Sequence, residues 1–212
     1  MLSINEITSS TAVGTAVEYN IPYTDVYNTS TTYTKDNGWL FLSKTEEGNG
    51  KFTVNLMSAG IPAKLNYQTY LNTYNVWWGT TGNTNVKAAY GLEHNFESIP
   101  FVAGTSATAN SGCFTNIKGT STGTVTGAIF KAGSNVSVHN MTYAEASPLD
   151  KTTLRKVGTG SSDYWLASPN TNYSSNLYFV SSDGSFGCSH NSTLGVRPVV
   201  SISGVTLSAK SQ

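Results

Sequence analysis

Tyr164-Trp165-Leu166-Ala167-Ser168-Pro169 and, further on, Gly195-Val196-Arg197-Pro198-Val199-Val200 are the two runs on which the reading of this chain turns. Each is short, apolar and rich in aromatic or β-branched residues, the composition of a buried strand. Between them Asn176-Leu177-Tyr178-Phe179-Val180 reads as another strand, Ser182-Asp183-Gly184 as a hairpin turn and Ser185-Phe186-Gly187-Cys188 as the returning strand. Alternate residues of a strand share a face, so Tyr178 and Val180 point one way, Leu177 and Phe179 the other. Leu177 and Phe179 are the more apolar pair, which predicts them on the core and Tyr178 in solvent. Pro198 cannot donate to a ladder, so the run Val196-Arg197-Pro198-Val199-Val200-Ser201-Ile202 is expected at a sheet edge or at a strand start.

The same grammar extends towards the N-terminus. Asp36-Asn37-Gly38 is a turn leading into a buried strand, Trp39-Leu40-Phe41-Leu42. Glu46-Glu47-Gly48-Asn49-Gly50 reads as a second turn and Phe52-Thr53-Val54-Asn55-Leu56-Met57 as the partner strand, ended soon afterwards by Pro62. A helix is predicted over 86–98, with Asn85 as N-cap and Val86, Ala89, Tyr90, Glu93 and Phe96 at helical spacing, weakened by Gly91. A shorter helical turn fits 142–147, ending before Pro148. The Gly/Ser/Thr/Ala-rich stretch 102–128 is too long for a plain loop in a compact domain and is expected to contain strands in part. Short, mostly antiparallel strands with about two helices make an α+β class. The organisation expected is an N-terminal arm or edge strand over 1–17, one domain over 18–204 and a tail over 205–212.

Composition narrows the function classes. The chain has 212 residues, enough to bury a core without metal or disulfide. Charged residues are only 11%, with 12 basic against 12 acidic and a net charge of zero. Nucleic-acid binding needs clustered Lys and Arg, whereas the densest group here is Lys151, Arg155 and Lys156. Thr, Ser, Asn and Gly replace charge, as on many extracellular and virion surfaces. No apolar run reaches about 18 residues, so no membrane-spanning helix is expected. The first ten residues lack the basic and apolar regions of a signal peptide, so an extracellular or virion location implies a removed leader or another route of release.

Candidate chemistry is sparse. His94, His139 and His190 lie far apart, without zinc-ligand spacing. Asp163 and Asp183 are the acids best placed to share a hard cation, but they lack the spacing of a calcium loop. Cys113 and Cys188 are either one disulfide or two thiols. Cys188 and His190 stand two apart on one strand face, the spacing of a thiolate–imidazole pair; two neighbours on a solvent-facing strand is the plainer reading. Gly79-Thr80-Thr81-Gly82 and the glycines from Gly119 to Gly127 lack the lysine and spacing of phosphate loops. No paired carboxylates stand out for glycoside hydrolysis. Neither an enzyme, nor a metal site, nor a cofactor is expected.

The Tyr164-to-Pro169 and Gly195-to-Val200 runs together resemble the closing signature of C-type-lectin-like domains of the formylglycine-generating-enzyme subtype. Asn37-Gly38-Trp39 and the stretch 56–64, with Gly60-Ile61-Pro62-Ala63-Lys64, look like the opening half of related bacterial and phage surface proteins. The resemblance spans roughly 18–204. It implies a compact mixed fold with two helices around short twisted sheets, and a ligand face on the last strands and their loops. In some members a retroelement diversifies that segment, and the equivalent stretch here, 170–191, is rich in Asn, Ser, Tyr, Phe, His and Gly. The enzymatic branch needs two closely spaced cysteines, which Cys113 and Cys188 are not. The calcium lectins carry an acid beside a proline where this chain has Ser168-Pro169-Asn170.

A ligand-binding or host-recognition domain is therefore expected, with contacts from Asn172, Tyr173, Asn176, Tyr178, Ser182, Phe186, His190 and Asn191. Tyr offers broad, stiff contact area at low entropic cost, while Ser and Asn offer adaptable hydrogen bonds. Trp39, Trp165 and Arg197 are expected as supports, Arg197 by satisfying loop carbonyls. Trp77-Trp78 reads as core, with stacking on sugar the competing reading. The partner expected is a protein or glycan on a cell surface, with homo-oligomer formation open. A structural phage tail, fibre or pilus-tip component, acting through subunit contacts, is the alternative.

Overall fold

The computed structural model describes residues 1–66, 125–127, 135–155, 163–169, 177–189 and 192–208. Within them the chain is of the α+β class, with mostly antiparallel strands in three sheets and two short helices. The helix expected over 86–98, the Trp77-Trp78 pair, Cys113 and most of 102–128 lie outside the described residues. From that last stretch, 125–127 does form a strand.

A two-stranded ribbon comes first, β1 (Tyr23–Thr24) with β2 (Thr32–Tyr33). Its register partners Tyr23 and Tyr33 stack with ring centroids 5.0 Å apart. The chain then enters β3 (Trp39–Gly48) and returns as β4 (Lys51–Ser58). Here the turn is tighter than expected, since Glu46 and Glu47 belong to β3. Asn49 and Gly50 alone make the reversal, at φ 54° and 70°. Two central residues at positive φ match the twist of the flanking strands, the usual two-residue hairpin solution.

β3 and β4 join β12 (Pro198–Thr206) and β7 (Val136–Asn140) in a four-stranded sheet of order β3-β4-β12-β7. A six-stranded sheet holds β5 (Ala63–Asn66), β6 (Val125–Gly127), β8 (Tyr164–Pro169), β9 (Leu177–Val180), β10 (Phe186–Ser189) and β11 (Thr193–Val196). Its order is β10-β9-β8-β11-β5-β6, and β8 runs parallel to β11. Pro198 opens β12, where the missing N–H is tolerated, although that strand lies between two neighbours and not at an edge.

Two of the passages from one sheet to the other are short, at 59–62 between β4 and β5 and at Arg197 between β11 and β12. Arg197 is fully buried at this crossing. Its Nε donates to Ser58 O at 3.0 Å, and its Nη1 lies 3.2 Å from Tyr164 Oη and 3.4 Å from Leu154 O. The guanidinium is a support, as expected, but the carbonyls it satisfies are not those of loops: one ends β4 and the other belongs to the helical segment at Leu154. Burial raises the Tyr164 phenol pKa, and the charge and hydrogen bond of Arg197 offset part of that rise.

The core draws on both sheets, with Trp39, Trp165, Leu56, Met57, Val196 and Val199 fully buried; Leu56 and Met57 are consecutive in β4, so that strand is covered on both faces. The polar N-terminal stretch is part of it. Ile7 and Val17 are fully buried, and 14–17 run along the start of β3. At the other end β12 continues past the expected boundary at 204 to Thr206, with Leu207 buried after it.

Candidate binding face

Two short helices position the hairpin of β9 and β10. Thr142 caps α1 (Tyr143–Ala146), its Oγ1 accepting from Glu145 N at 3.0 Å while the Glu145 carboxylate takes Thr142 N at 2.9 Å. This reciprocal cap sets the helix start and hence the place of Tyr143. The second helix, α2 (Lys151–Arg155), is opened by Asp150, whose carboxylate accepts from Thr153 N at 2.8 Å and Thr153 Oγ1 at 2.9 Å.

β9 and β10 pair antiparallel with Phe186 opposite Val180, Gly187 opposite Phe179 and Cys188 opposite Tyr178. The connecting turn follows the Ser182-Asp183-Gly184 signature. Gly184 N donates to Ser181 O at 2.8 Å, Ser181 N to Ser185 O at 2.7 Å, and Gly184 sits at φ 80°. Asp183 accepts from Ser185 N at 2.8 Å and from Ser185 Oγ at 2.5 Å. Those bonds, Ser185 Oγ foremost, hold its carboxyl below the ordinary value, helped by the charge of Lys151.

The turn is clamped to the body. Ser182 N donates to Asp163 Oδ1 at 2.8 Å. Gly184 lies so close to α2 that a β-carbon there would come 2.8 Å from Lys151 O. Asp163 and Asp183, the two acids the sequence offered for a cation, are thus each engaged in local hydrogen bonds. Among the described residues no group of three or more His, Cys, Asp or Glu could hold a metal ion.

The two faces of the hairpin differ. On one, Phe179 lies across Gly187, where a β-carbon would sit 2.4 Å from its Cζ, and meets Trp165 edge-on at 6.3 Å between centroids. Phe179 is half-buried and packs against the core through Trp165. On the other face, Tyr178 stacks on Tyr143 with centroids 4.4 Å apart, and Phe186 meets Tyr143 at 5.0 Å and 61°. Phe186 is 36% exposed, but Tyr178 is half-buried like Phe179, and the fully buried Val180 lies on the Tyr178 side, so the alternation does not divide the strand into a core face and a solvent face. The expectation of an exposed Tyr178 needs correcting, because α1 lays Tyr143 over it. Of the eight expected contacts, Tyr178, Ser182 and Phe186 are placed, the first and third in one ring cluster and Ser182 on the clamped turn. Asn172, Tyr173, Asn176, His190 and Asn191 lie outside the described residues, and with His190 goes the proposed pairing with Cys188. Tyr143 is the addition that sequence reasoning missed; Thr142-x-x-Glu145, a capping-box pattern, was the signal that could have found it.

Residues 112–204 match a family model described as "Domain of unknown function (DUF6273)". The matched span contains both helices, the ring cluster, the clamped turn and Arg197, and it leaves out β1 to β5. Comparison with curated proteins and with solved structures gave no match.

Proposed function

We propose that this chain is a non-enzymatic ligand-binding or host-recognition domain, C-type-lectin-like in its finer fold, whose contact face is centred on Tyr143, Tyr178 and Phe186. One observation carries the reading: Tyr178 and Phe186, on a hairpin whose turn is fixed at both Asp163 and α2, each pack against Tyr143 of α1. Rings already held in place lose little freedom on binding, and aromatic anchors dominate contact energetics. The hairpin lacks charge except at Asp183, which is engaged with Ser185. Such a face suits uncharged partners that combine apolar patches with hydroxyls or amides, as surface glycans and proteins do. The cell-exterior setting rests on composition and on the resemblance in the two closing strand runs.

The test is a binding screen of the fluorescently labelled chain against arrayed surface glycans and intact bacterial cells. Phe186→Ala should abolish or strongly reduce whatever binding the wild type shows, with unchanged circular dichroism. Val13→Ala truncates another exposed apolar side chain (39% exposed) far along the sequence and should leave binding intact. Equal loss in both variants, or no loss in Phe186→Ala, would remove the ring cluster as the contact face.

A further inference from the structure

β3 is an outer strand of its sheet, and its outer edge changes character halfway along. Over 39–41 the edge is occupied by the N-terminal segment: Val17 N donates to Trp39 O at 3.0 Å, Phe41 N to Thr15 O at 2.8 Å and Gly14 N to Phe41 O at 2.8 Å. Beyond Phe41 no described residue hydrogen-bonds that edge. The strand nevertheless runs on to Gly48, with every residue of 43–48 exposed or half-buried. A row of backbone donors and acceptors without a neighbour is a template for another strand.

The side chains of this stretch say which strand fits. Over the regular stretch, Ser43 to Glu46, Ser43 and Thr45 share one face, Lys44 and Glu46 the other. Glu47 is already engaged within its own sheet, by Thr53 Oγ1 and by Gly204 N at 3.2 Å. Lys44 Nζ lies 5.0 Å over the Phe52 ring, and neither Lys44 nor Glu46 makes an ion pair with any described residue.

Antiparallel pairing sets opposite each other residues that both direct their backbone groups into the new ladder or both away from it. Symmetric pairing of the edge with its own copy must therefore centre on one residue facing itself. Centring on Lys44 sets lysine against lysine, and centring on Glu46 sets glutamate against glutamate; both are unfavourable. Centring on Thr45 sets each Lys44 against a Glu46 and threonine against threonine, both favourable pairs. β3 is irregular at Leu42 and again at Glu47, so the regular stretch open to pairing is Ser43 to Glu46, and the new ladder centres on Lys44, Thr45 and Glu46 within it.

We propose that two copies of this chain associate through β3, antiparallel about a twofold axis at Thr45, so that two four-stranded sheets become one of eight. The interface is isologous and closed, so it makes dimers and not fibres. It does not depend on the ligand face, which lies in the other sheet.

The test is sedimentation velocity of the full chain over a wide concentration range. A monomer–dimer equilibrium is expected. Lys44→Glu and Glu46→Lys should each weaken the dimer about tenfold or more, since each turns two attractive cross-strand pairs into two repulsive ones. The double variant Lys44→Glu/Glu46→Lys should recover dimerisation, and the two single variants mixed together should form a heterodimer. Circular dichroism checks that each variant folds. A monomer at every concentration overturns the proposal and makes Lys44 and Glu46 guards against edge pairing. Dimers indifferent to the single substitutions overturn the register and place the interface elsewhere.

Discussion

Replacing Arg197 tests the crossing of the two sheets, and the size of the effect follows from its bonds. Arg197→Met keeps most of the volume and removes the donors. Tyr164 Oη donates to Leu154 O at 3.1 Å on its own account, so that pair survives the loss. Ser58 is fully buried, and its carbonyl loses the bond from Nε. Taking a hydrogen-bond partner from a buried polar group costs about 1–3 kcal/mol. The imperfect fit of a similar-sized side chain adds under about 1.5 kcal/mol. Against these, methionine returns part of the desolvation cost of the buried guanidinium. The net expectation is a loss of about 2 kcal/mol, or roughly 4–8 °C in Tm for a chain of this length. Arg197→Lys should lose more, because it keeps a buried charge while giving up the planar fork that reaches Ser58 and Tyr164 together. Urea unfolding followed by tryptophan fluorescence measures both. If lysine is tolerated as well as arginine, or methionine costs nothing, the guanidinium does not hold the crossing together.

The hairpin supplies two further tests. Gly187→Ala places a methyl where Phe179 now lies, and should cost about 1–3 kcal/mol and alter the near-ultraviolet circular dichroism of the Trp165–Phe179 pair; an unperturbed variant would mean the ring is free to move aside. Asp183 has its folded pKa below the ordinary 3.8, so its stabilising contribution is complete above that value and disappears as pH falls through the lowered one. The advantage of the wild type over Asp183→Asn in urea midpoint should therefore be constant near neutrality and shrink in acid, and a gap that persists below the folded pKa contradicts the Ser185 bonding.

What could be read from sequence depended on whether the cause was local. The Ser182-Asp183-Gly184 turn was legible because αL glycine after a type I turn is chemistry of those residues alone. Tyr178 was misplaced because a residue 35 positions earlier, Tyr143, covers it; strand periodicity carries no information about what packs on the outer side. The β3–β4 turn was read too wide for another reason. Glu46 and Glu47 look like loop residues, yet an exposed strand end accepts charge readily, and Asn49-Gly50 suffices for the reversal. The N-terminal stretch was read from its polar composition as an arm or edge strand; 14–17 run along the edge of β3, and the buried Ile7 and Val17, isolated among polar residues, carry no periodic signal that would have shown how it is tied down. Pro198 marked a strand start, but nothing local to it shows that the chain changes sheets one residue earlier.

The separation of the two sheets bears on how binding and pairing would combine. The ring cluster lies on the β9–β10 hairpin, at one end of the six-stranded sheet, while the open stretch of β3 belongs to the four-stranded sheet. Pairing along β3 therefore uses backbone groups that the contact face does not need. A dimer would carry two copies of the face, so a second contact on the same surface becomes an intramolecular event with its own effective concentration, and modest single-site affinity is multiplied wherever ligands are dense enough to be bridged. A monomeric Lys44→Glu variant separates the two contributions. It should keep the wild-type affinity for a soluble monovalent ligand and lose apparent affinity for a densely coated surface, whereas Phe186→Ala should lose both. Equal binding of Lys44→Glu and wild type to the dense surface would show that pairing, even where it occurs, adds nothing to recognition.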